Sequence, residues 1–323
     1  MKYPALPKIP LIITGLTATG KTKLALELAS EFNLNLISAD SRQVYRTLDI
    51  GTGKYSPGQQ VLAEGACVFI DKVAVFGLDL VDPDQHFSAA QYQKYVQSLL
   101  LQQSYPDSIL VGGTGQYLSA LLNPPATYFI PPHTQLRAEF ANLEKHLSPR
   151  SYAALLQGYL NQVAPEKYQQ LNSSDIQNPR RLQRAIEVQL QSAPAQMPAA
   201  TRFQVPIVGL KAPLSWLEKK ISHRVDEMYQ SGLKTEFLNL LNSCGSACPA
   251  LQTIGYQEWL QHQNLSDQEI LTHIKIHTRQ YAKRQLTYFK KFEQIQWFDV
   301  SSDGFAQAKE YCRNLLQTNT ISV

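Results

Sequence analysis

Residues 15–22, "GLTATGKT", carry the spacing G-x-x-x-x-G-K-[ST], a pattern that holds phosphate. Glycines let such a loop curl until several backbone N–H groups point at one anion, at the positive end of the following helix. Gly15, Thr17, Ala18, Thr19 and Gly20 form the cradle here, and Lys21 adds a point charge. The Thr22 hydroxyl suits Mg²⁺. The motif needs a strand before it and a helix after it. "PLIITG" reads as a short buried strand, and Leu24, Leu28 and Phe32 recur at helical spacing. The loop alone does not say whether its phosphate belongs to a nucleotide.

Two further polar strings end strand-like runs. "ISADSRQVYRTLDIGTGK" (37–54) places Asp40 just past the run "NLISA", followed by Ser41, Arg42 and Gln43. In a doubly wound sheet the carboxyl ends of the strands face the ligand crevice. Asp40 is then a candidate general base on the rim that holds the phosphate loop; an Asp-Ser pair at such a turn also serves as a helix cap. "VGGTGQY" (111–117) ends a third run, where Gly112, Gly113 and Gly115 would let backbone approach a ligand and Thr114 offers a hydroxyl.

The elements that must position these groups follow from alternation. "NLISA" (35–39), "CVFI" (67–70), "SILVGG" (108–113), "PIVGLK" (206–211) and "IQWFDV" (295–300) read as strands between helical patterns. That order predicts an α/β fold, a P-loop NTPase-like parallel sheet. The pattern is interrupted once. "NPPATYFIPPH" (123–133) and "APAQMPAATRFQVP" (193–206) are proline-rich and bracket a wholly helical stretch. The reading is a core of residues 1–123 and 201–323 with a helical insertion domain over 124–200.

Composition excludes more than it identifies. In 323 residues, 44% are hydrophobic and 17% charged, and the net charge is +4, as in ordinary globular proteins. No apolar run reaches the length of a membrane span. The N-terminal segment shows no signal-peptide cleavage pattern, so a cytoplasmic setting is expected. Cys244 and Cys248 are spaced C-x₃-C without a second ligand pair, which argues for thiols rather than zinc. Locally, "HIKIHTRQYAKRQLTYFKK" (273–291) has six Lys or Arg and no acid, with Lys275, Arg279 and Lys283 on one helical face. Ile270, Ile274, His277, Tyr281, Tyr288 and Phe292 mark a core-facing stripe. The basic face is either simply solvated or a phosphodiester-binding stripe. In "NPRRLQRAIEV" Arg181 and Arg184 share a face beside Arg180, and Arg137 lies on the insert's first helix.

"GLTATGKT", "ISADSRQVYRTLDIGTGK", "VGGTGQY", "NPRRLQRAIEV", "HRVDEMYQSGL", "TIGYQE" and "TRQYAKRQLTYFKK" occur in one order over nearly the whole chain. In this the chain resembles the bacterial tRNA dimethylallyltransferases (tRNA isopentenyltransferases). The resemblance implies transfer of a dimethylallyl group from dimethylallyl diphosphate to N6 of adenine 37, beside the anticodon of tRNA. It implies that the loop holds a diphosphate leaving group with Mg²⁺, helped by Arg224. It implies Asp40 as base, with Thr114 and Arg137 at the reacting site. It implies tRNA contacts from Asp40, Ser41, Arg42, Gln43, Arg180, Arg181, Arg184, Gln252, Gly255, Tyr256, Lys283, Arg284 and Gln285, with the insert on the anticodon stem-loop. A monomer is expected. Leu16, Thr19, Arg180, Lys220 and the Val75-Phe76 pair depart from the family's usual residues. Rival readings are a small-molecule or nucleoside kinase in which Asp40 activates a hydroxyl, an isopentenyltransferase acting on free AMP or ADP, and a non-catalytic RNA-binding module. The last leaves Lys21, Thr22 and Asp40 without a job.

Overall fold

The computed structural model describes residues 8–56, 58–102, 107–191 and 205–320. The N-terminal residues 1–7 and most of the second proline-rich joint, 192–204, lie outside them. In chain order the elements are β1 (Ile12–Gly15), α1 (Lys21–Phe32), β2 (Asn35–Ser38), β3 (Val61–Glu64), β4 (Cys67–Ile70), β5 (Val73–Phe76), α2 (Ala89–Leu100), β6 (Ser108–Val111) and α3 (Gly115–Leu122). Five helices follow: α4 (Thr134–His146), α5 (Pro149–Val163), α6 (Pro165–Gln169), α7 (Ser173–Ile176) and α8 (Pro179–Leu190). The chain then forms β7 (Ile207–Lys211), α9 (Leu214–Gln230), α10 (Leu233–Cys244), α11 (Gln257–Gln261), α12 (Asp267–Phe289), β8 (Ile295–Asp299) and α13 (Gly304–Thr320). Two compact units result, one of residues 1–122 and 201–323, the other Asn123–Ala200.

The larger unit is built on one sheet of order β3-β4-β5-β2-β6-β1-β7-β8. From β5 to β8 all neighbours run parallel. The central strands β1 and β6 are buried at every residue, as parallel strands covered on both faces must be. One expectation needs correcting. The run "CVFI" is not part of a parallel βαβ unit but the middle of an antiparallel β3-β4-β5 meander at the sheet edge. Asp71 and Lys72 turn β4 back into β5 in the left-handed region, at φ 48 and 71, and a two-residue turn can only join antiparallel strands.

Strand order places the chemistry. β2, β6 and β1 are adjacent, so "ADSRQ", "GGTGQ" and the phosphate loop leave three neighbouring strands at one edge, where β1 leads away to α1 and β6 lies between β1 and β2. This is the crevice position of doubly wound sheets. α1 is held from behind by α13, through Lys309–Glu27 at 2.7 Å and Arg313–Glu31 at 2.6 Å.

The helical unit has its own small core of Leu136, Phe140, Tyr152, Leu156, Leu160, Ala164, Leu182 and Ile186. Its helices start where the sequence caps them. Ser148 and Asn178 accept from the N3 backbone amides, and a proline stands at the first helical position after each.

Candidate active site

The phosphate loop takes its shape from φ angles that few side chains tolerate. Gly15 lies at φ 132 and Gly20 at φ 85, with Ala18 between them at φ 62. A Cβ on Gly15 would stand 2.1 Å from the Leu210 carbonyl oxygen of β7, so only glycine fits there. Lys21 reaches back into the loop and donates to Leu16 O at 2.5 Å. Burial, then the charge of Arg224, pull its ammonium from the usual lysine value down to about 7, while Asp40 pulls the other way. Burial also lowers Arg224, and Asp40 again opposes it. Two cations and one carboxylate thus act on each other across the cradle, and an arriving anion would relieve the strain between the cations.

Asp40 and Thr114 meet on the adjacent strand ends. Thr114 Oγ1 accepts from the Ser41 amide at 3.0 Å and bonds Ser41 Oγ at 3.3 Å. Asp40 Oδ1 accepts from the Arg42 amide at 2.9 Å. The Asp-Ser turn is therefore a local cap and also a rigid mount for a carboxylate at the rim. Lys21, Thr22, Asp40, Thr114 and Arg224 line one cavity of about 1010 Å³. Its lining is mixed, and its apolar members include Ile50, Leu78, Ile221, Val225, Met228 and Ile254. Tyr281 lines it too. Its hydroxyl lies within reach of Thr114 and Gln285, and burial, with Asp40 nearby, raises it well above the ordinary phenol value. A tyrosine on a core-facing stripe is the signal that points to such a role, because its polar tip needs a partner.

The three glycines of "VGGTGQY" line the cavity and also admit close neighbours from the protein itself. A Cβ on Gly112 would stand 2.2 Å from the Ala39 carbonyl oxygen, on Gly113 2.3 Å from Gln285 Nε2, and on Gly115 2.2 Å from the Tyr288 ring. The loop 45–54 is similarly self-braced. Lys54 is buried and pairs with Asp49 at 2.7 Å and Asp79 at 2.5 Å. Glu236 of α10 accepts from the amides of Asp49, Ile50 and Gly51 at 2.9, 2.9 and 3.0 Å, and from Tyr256 Oη at 2.5 Å. Gln43 accepts from Ser38 Oγ at 2.9 Å and donates to Gly53 O at 3.3 Å. Against this loop Arg224 packs its guanidinium on Gly53.

Several residues expected at a tRNA surface are not on a surface. Tyr256 is fully buried and Gln285 is 5% exposed, and Gly255 is buried with its amide on Glu258 at 2.8 Å. The basic face of α12 divides. Lys275 pairs with Asp226 at 2.7 Å and Arg279 with Glu218 at 2.6 Å, both on α9. Lys283, Arg284 and Lys290 are exposed, and among the described residues none has an ion-pair partner; Arg284 lies over the Tyr281 ring at 6.0 Å. Gln252 and Arg42 are exposed as well. In the helical unit Arg137 and Arg184 both bond the buried carboxylate of Glu187. Arg184 Nη2 also donates to Thr127 O at 2.5 Å and Ile130 O at 2.6 Å. Both arginines keep part of their surface in solvent, so each bond adds modestly, but together they satisfy a carboxylate that is itself buried. Arg181 pairs with Asp175, and Arg180 is exposed.

For Mg²⁺ the donor chemistry fits. Thr22 is exposed at the first turn of α1, and its hydroxyl enters no hydrogen bond among the described residues. A hard ion with few protein ligands binds through such a hydroxyl together with phosphate oxygens. No cluster of three or more His, Cys, Asp or Glu is placed to hold a metal among the described residues, nor is any helix there long and apolar enough to cross a membrane.

A phosphate loop, a carboxylate on the next-but-one strand and a shared half-apolar cavity define an α/β protein of the phosphate-loop type with group-transfer chemistry at the strand ends. The particular family is settled by comparison. Residues 43–292 match the IPP transferase family model. A tRNA dimethylallyltransferase of Synechocystis sp. is 35% identical over 91% of this chain and 92% of its own. One from Thermoanaerobacter pseudethanolicus is 32% identical over 95% and 96%. The solved full-length tRNA isopentenylpyrophosphate transferase of Bacillus halodurans superposes with TM-score 0.64 at 27% identity, covering 97% of this chain and 98% of that one. This chain belongs to the IPP transferase family.

Proposed function

We propose that this protein transfers a dimethylallyl group from dimethylallyl diphosphate to N6 of adenine 37 in tRNA and releases diphosphate. The observation that carries the choice of donor is the cavity. The phosphate loop and Asp40 share it with the apolar side chains of Ile221, Val225, Met228 and Ile254, which suit an isoprenoid tail. The family membership carries tRNA as acceptor. A free nucleotide would not need the exposed cations Lys283, Arg284 and Lys290.

The chemistry follows from the residues. The adenine amine is a poor nucleophile, because its lone pair is delocalised into the ring. Asp40 accepts its proton as the N6–C1 bond forms and the C1–O bond to diphosphate breaks. Negative charge grows on the leaving group, where Lys21, Arg224 and the loop amides other than those of Leu16 and Thr17 stand ready to meet it. Thr22 and the diphosphate oxygens would hold Mg²⁺, which supplies further neutralisation. Thr114 holds the Ser41 amide at 3.0 Å and so keeps Asp40 aimed. The apolar lining residues would limit water around the electron-deficient allylic carbon. The target base must leave its stack to reach a carboxylate at the strand ends, as in other base-modifying enzymes. A cytoplasmic monomer, working where tRNA is found, completes the reading. Mass spectrometry of tRNA nucleosides from a strain lacking the protein tests it. Loss of N6-(dimethylallyl)adenosine is expected, and unchanged levels would refute the assignment.

A further inference from the structure

Gln285 lies on α12, 268 residues from the phosphate loop in sequence, yet it is bonded to that loop. Its Oε1 accepts from the Thr17 amide at 2.8 Å. Its Nε2 donates to Gly113 O at 2.9 Å. It is 5% exposed and lines the cavity with both ends of its amide already bonded. Gly113 has to be glycine to admit it, since a Cβ there would lie 2.3 Å from Nε2. The residue after Gly113 is Thr114, whose Oγ1 holds the amide of Ser41, the neighbour of Asp40. Two hydrogen bonds of Gln285, the covalent step from Gly113 to Thr114 and the bond from the Ser41 amide to Thr114 thus connect the cradle (Thr17) with the turn after β6 and the loop that carries the base. The same face of α12 secures that turn twice more. Tyr288, three residues on, packs its ring on Gly115 and bonds Ser119 of α3 at 2.9 Å. Tyr281, one turn earlier, shares the cavity.

We infer that Gln285 is a positioning residue: a strut that sets the spacing between the diphosphate cradle and the Asp40 base, not a tRNA contact. The inference rests on the prenyl-transfer reading for its kinetic consequences, though the strut itself does not. An amide suits the place because one end must accept and the other donate, at a fixed separation. No charged side chain offers both. Transfer requires the allylic carbon and N6 to meet in line while the diphosphate and the proton leave in different directions. An error of about 1 Å between cradle and base costs on the order of 10²-fold in rate.

Two substitutions separate this role from its alternatives. Gln285→Ala should lower single-turnover transfer about 100-fold at saturating substrates, with tRNA affinity changed less than about twofold. Gln285→Glu supplies a sharper readout. As the neutral acid it copies the amide, accepting from Thr17 and donating to Gly113 O. As the anion it sets an oxygen against that carbonyl. Burial raises such a carboxyl group, so the ratio of variant to wild-type rate should climb as pH falls from about 8 to 6. Amide hydrogen exchange at Thr17 reads the strut with no turnover, and its protection should fall at least about tenfold in Gln285→Ala. If wild-type protein fails to transfer, the functional reading falls and the Thr17 exchange judges the strut alone. A variant that loses tRNA affinity in step with rate, a Glu variant whose pH profile parallels wild type, or a Thr17 amide equally protected in Gln285→Ala would each overturn the inference.

Discussion

Raising the pH should loosen the protein's hold on diphosphate, through Lys21. Burial and Arg224 bring its ammonium down to about 7, so near neutral pH only about half the empty cradles carry that charge. A bound diphosphate favours the protonated form and raises the group again. Affinity therefore stays level below pH 7 and falls above it. The fraction of cradles charged drops roughly 50-fold between pH 7 and pH 9, and affinity should drop with it. The ligand also titrates, so the profile is best divided by that of Lys21→Arg, whose guanidinium stays charged throughout. Calorimetry with dimethylallyl diphosphate and Mg²⁺, in buffers of different ionisation enthalpy, should show uptake of about half a proton at pH 7. The sign for stability is opposite to that for a lysine gaining a partner. Between pH 7 and the ordinary lysine value the unfolded chain keeps a proton that the folded chain has lost, so this group's penalty on folding shrinks as pH rises. Lys21→Met should then raise the melting temperature most below pH 7, while abolishing diphosphate binding. A pH-independent ratio of wild type to Lys21→Arg, or a Met variant that melts lower at pH 6, would refute the account of this lysine.

Other expectations follow from the same geometry. Asp40→Asn keeps the shape of the turn but not the basicity, so kcat should fall by roughly 10²–10⁴ with tRNA still bound; near-normal turnover would reject Asp40 as base. Replacing Lys283 and Arg284 by Ala should flatten the salt dependence of tRNA binding by about 0.7–0.9 per lost phosphate contact in log–log slope. The pair Lys275→Ala and Arg279→Ala should leave it nearly unchanged, because those cations are already neutralised by α9; equal slopes in both double variants would contradict that division. Lys54→Met leaves Asp49 and Asp79 without their shared cation, and because both carboxylates stay partly in solvent it should cost about 1–2 kcal/mol in urea unfolding; no measurable loss would mean that this ion cluster is not what holds loop 45–54.

Local patterns carried the phosphate loop, Asp40 and Thr114, because glycine spacing and strand-end polarity are written in consecutive residues. The alternation of strands and helices carried the parallel core for the same reason. The edge meander did not show, since β3 is a short run, Val61–Glu64, exposed at all four residues and too brief to stand out as a strand. Long-range pairing was the larger blind spot. Counting charges on α12 marked Lys275 and Arg279 as free, but their partners Asp226 and Glu218 stand on a different helix, 61 residues away in the second case. Gln285 and Tyr256 looked like polar surface groups within basic or glycine-containing strings; what buries them comes from the phosphate loop and from α10. The bonds of Arg137 and Arg184 to Glu187 of the same unit were equally hidden, because the carboxylate lies 50 residues along the chain from Arg137.

The central claim is that the loop at 15–22 holds the diphosphate of an allylic donor while Asp40 deprotonates adenine N6. Single-turnover incubation of the protein with Mg²⁺, dimethylallyl diphosphate labelled in the allyl group and an anticodon stem-loop bearing adenine 37 addresses it directly, with ATP as competitor. The label should move to the RNA with release of one diphosphate per turnover, inosine in place of adenine 37 should abolish transfer, and ATP should compete weakly and remain intact. Consumption of ATP with no label in the RNA would contradict the account.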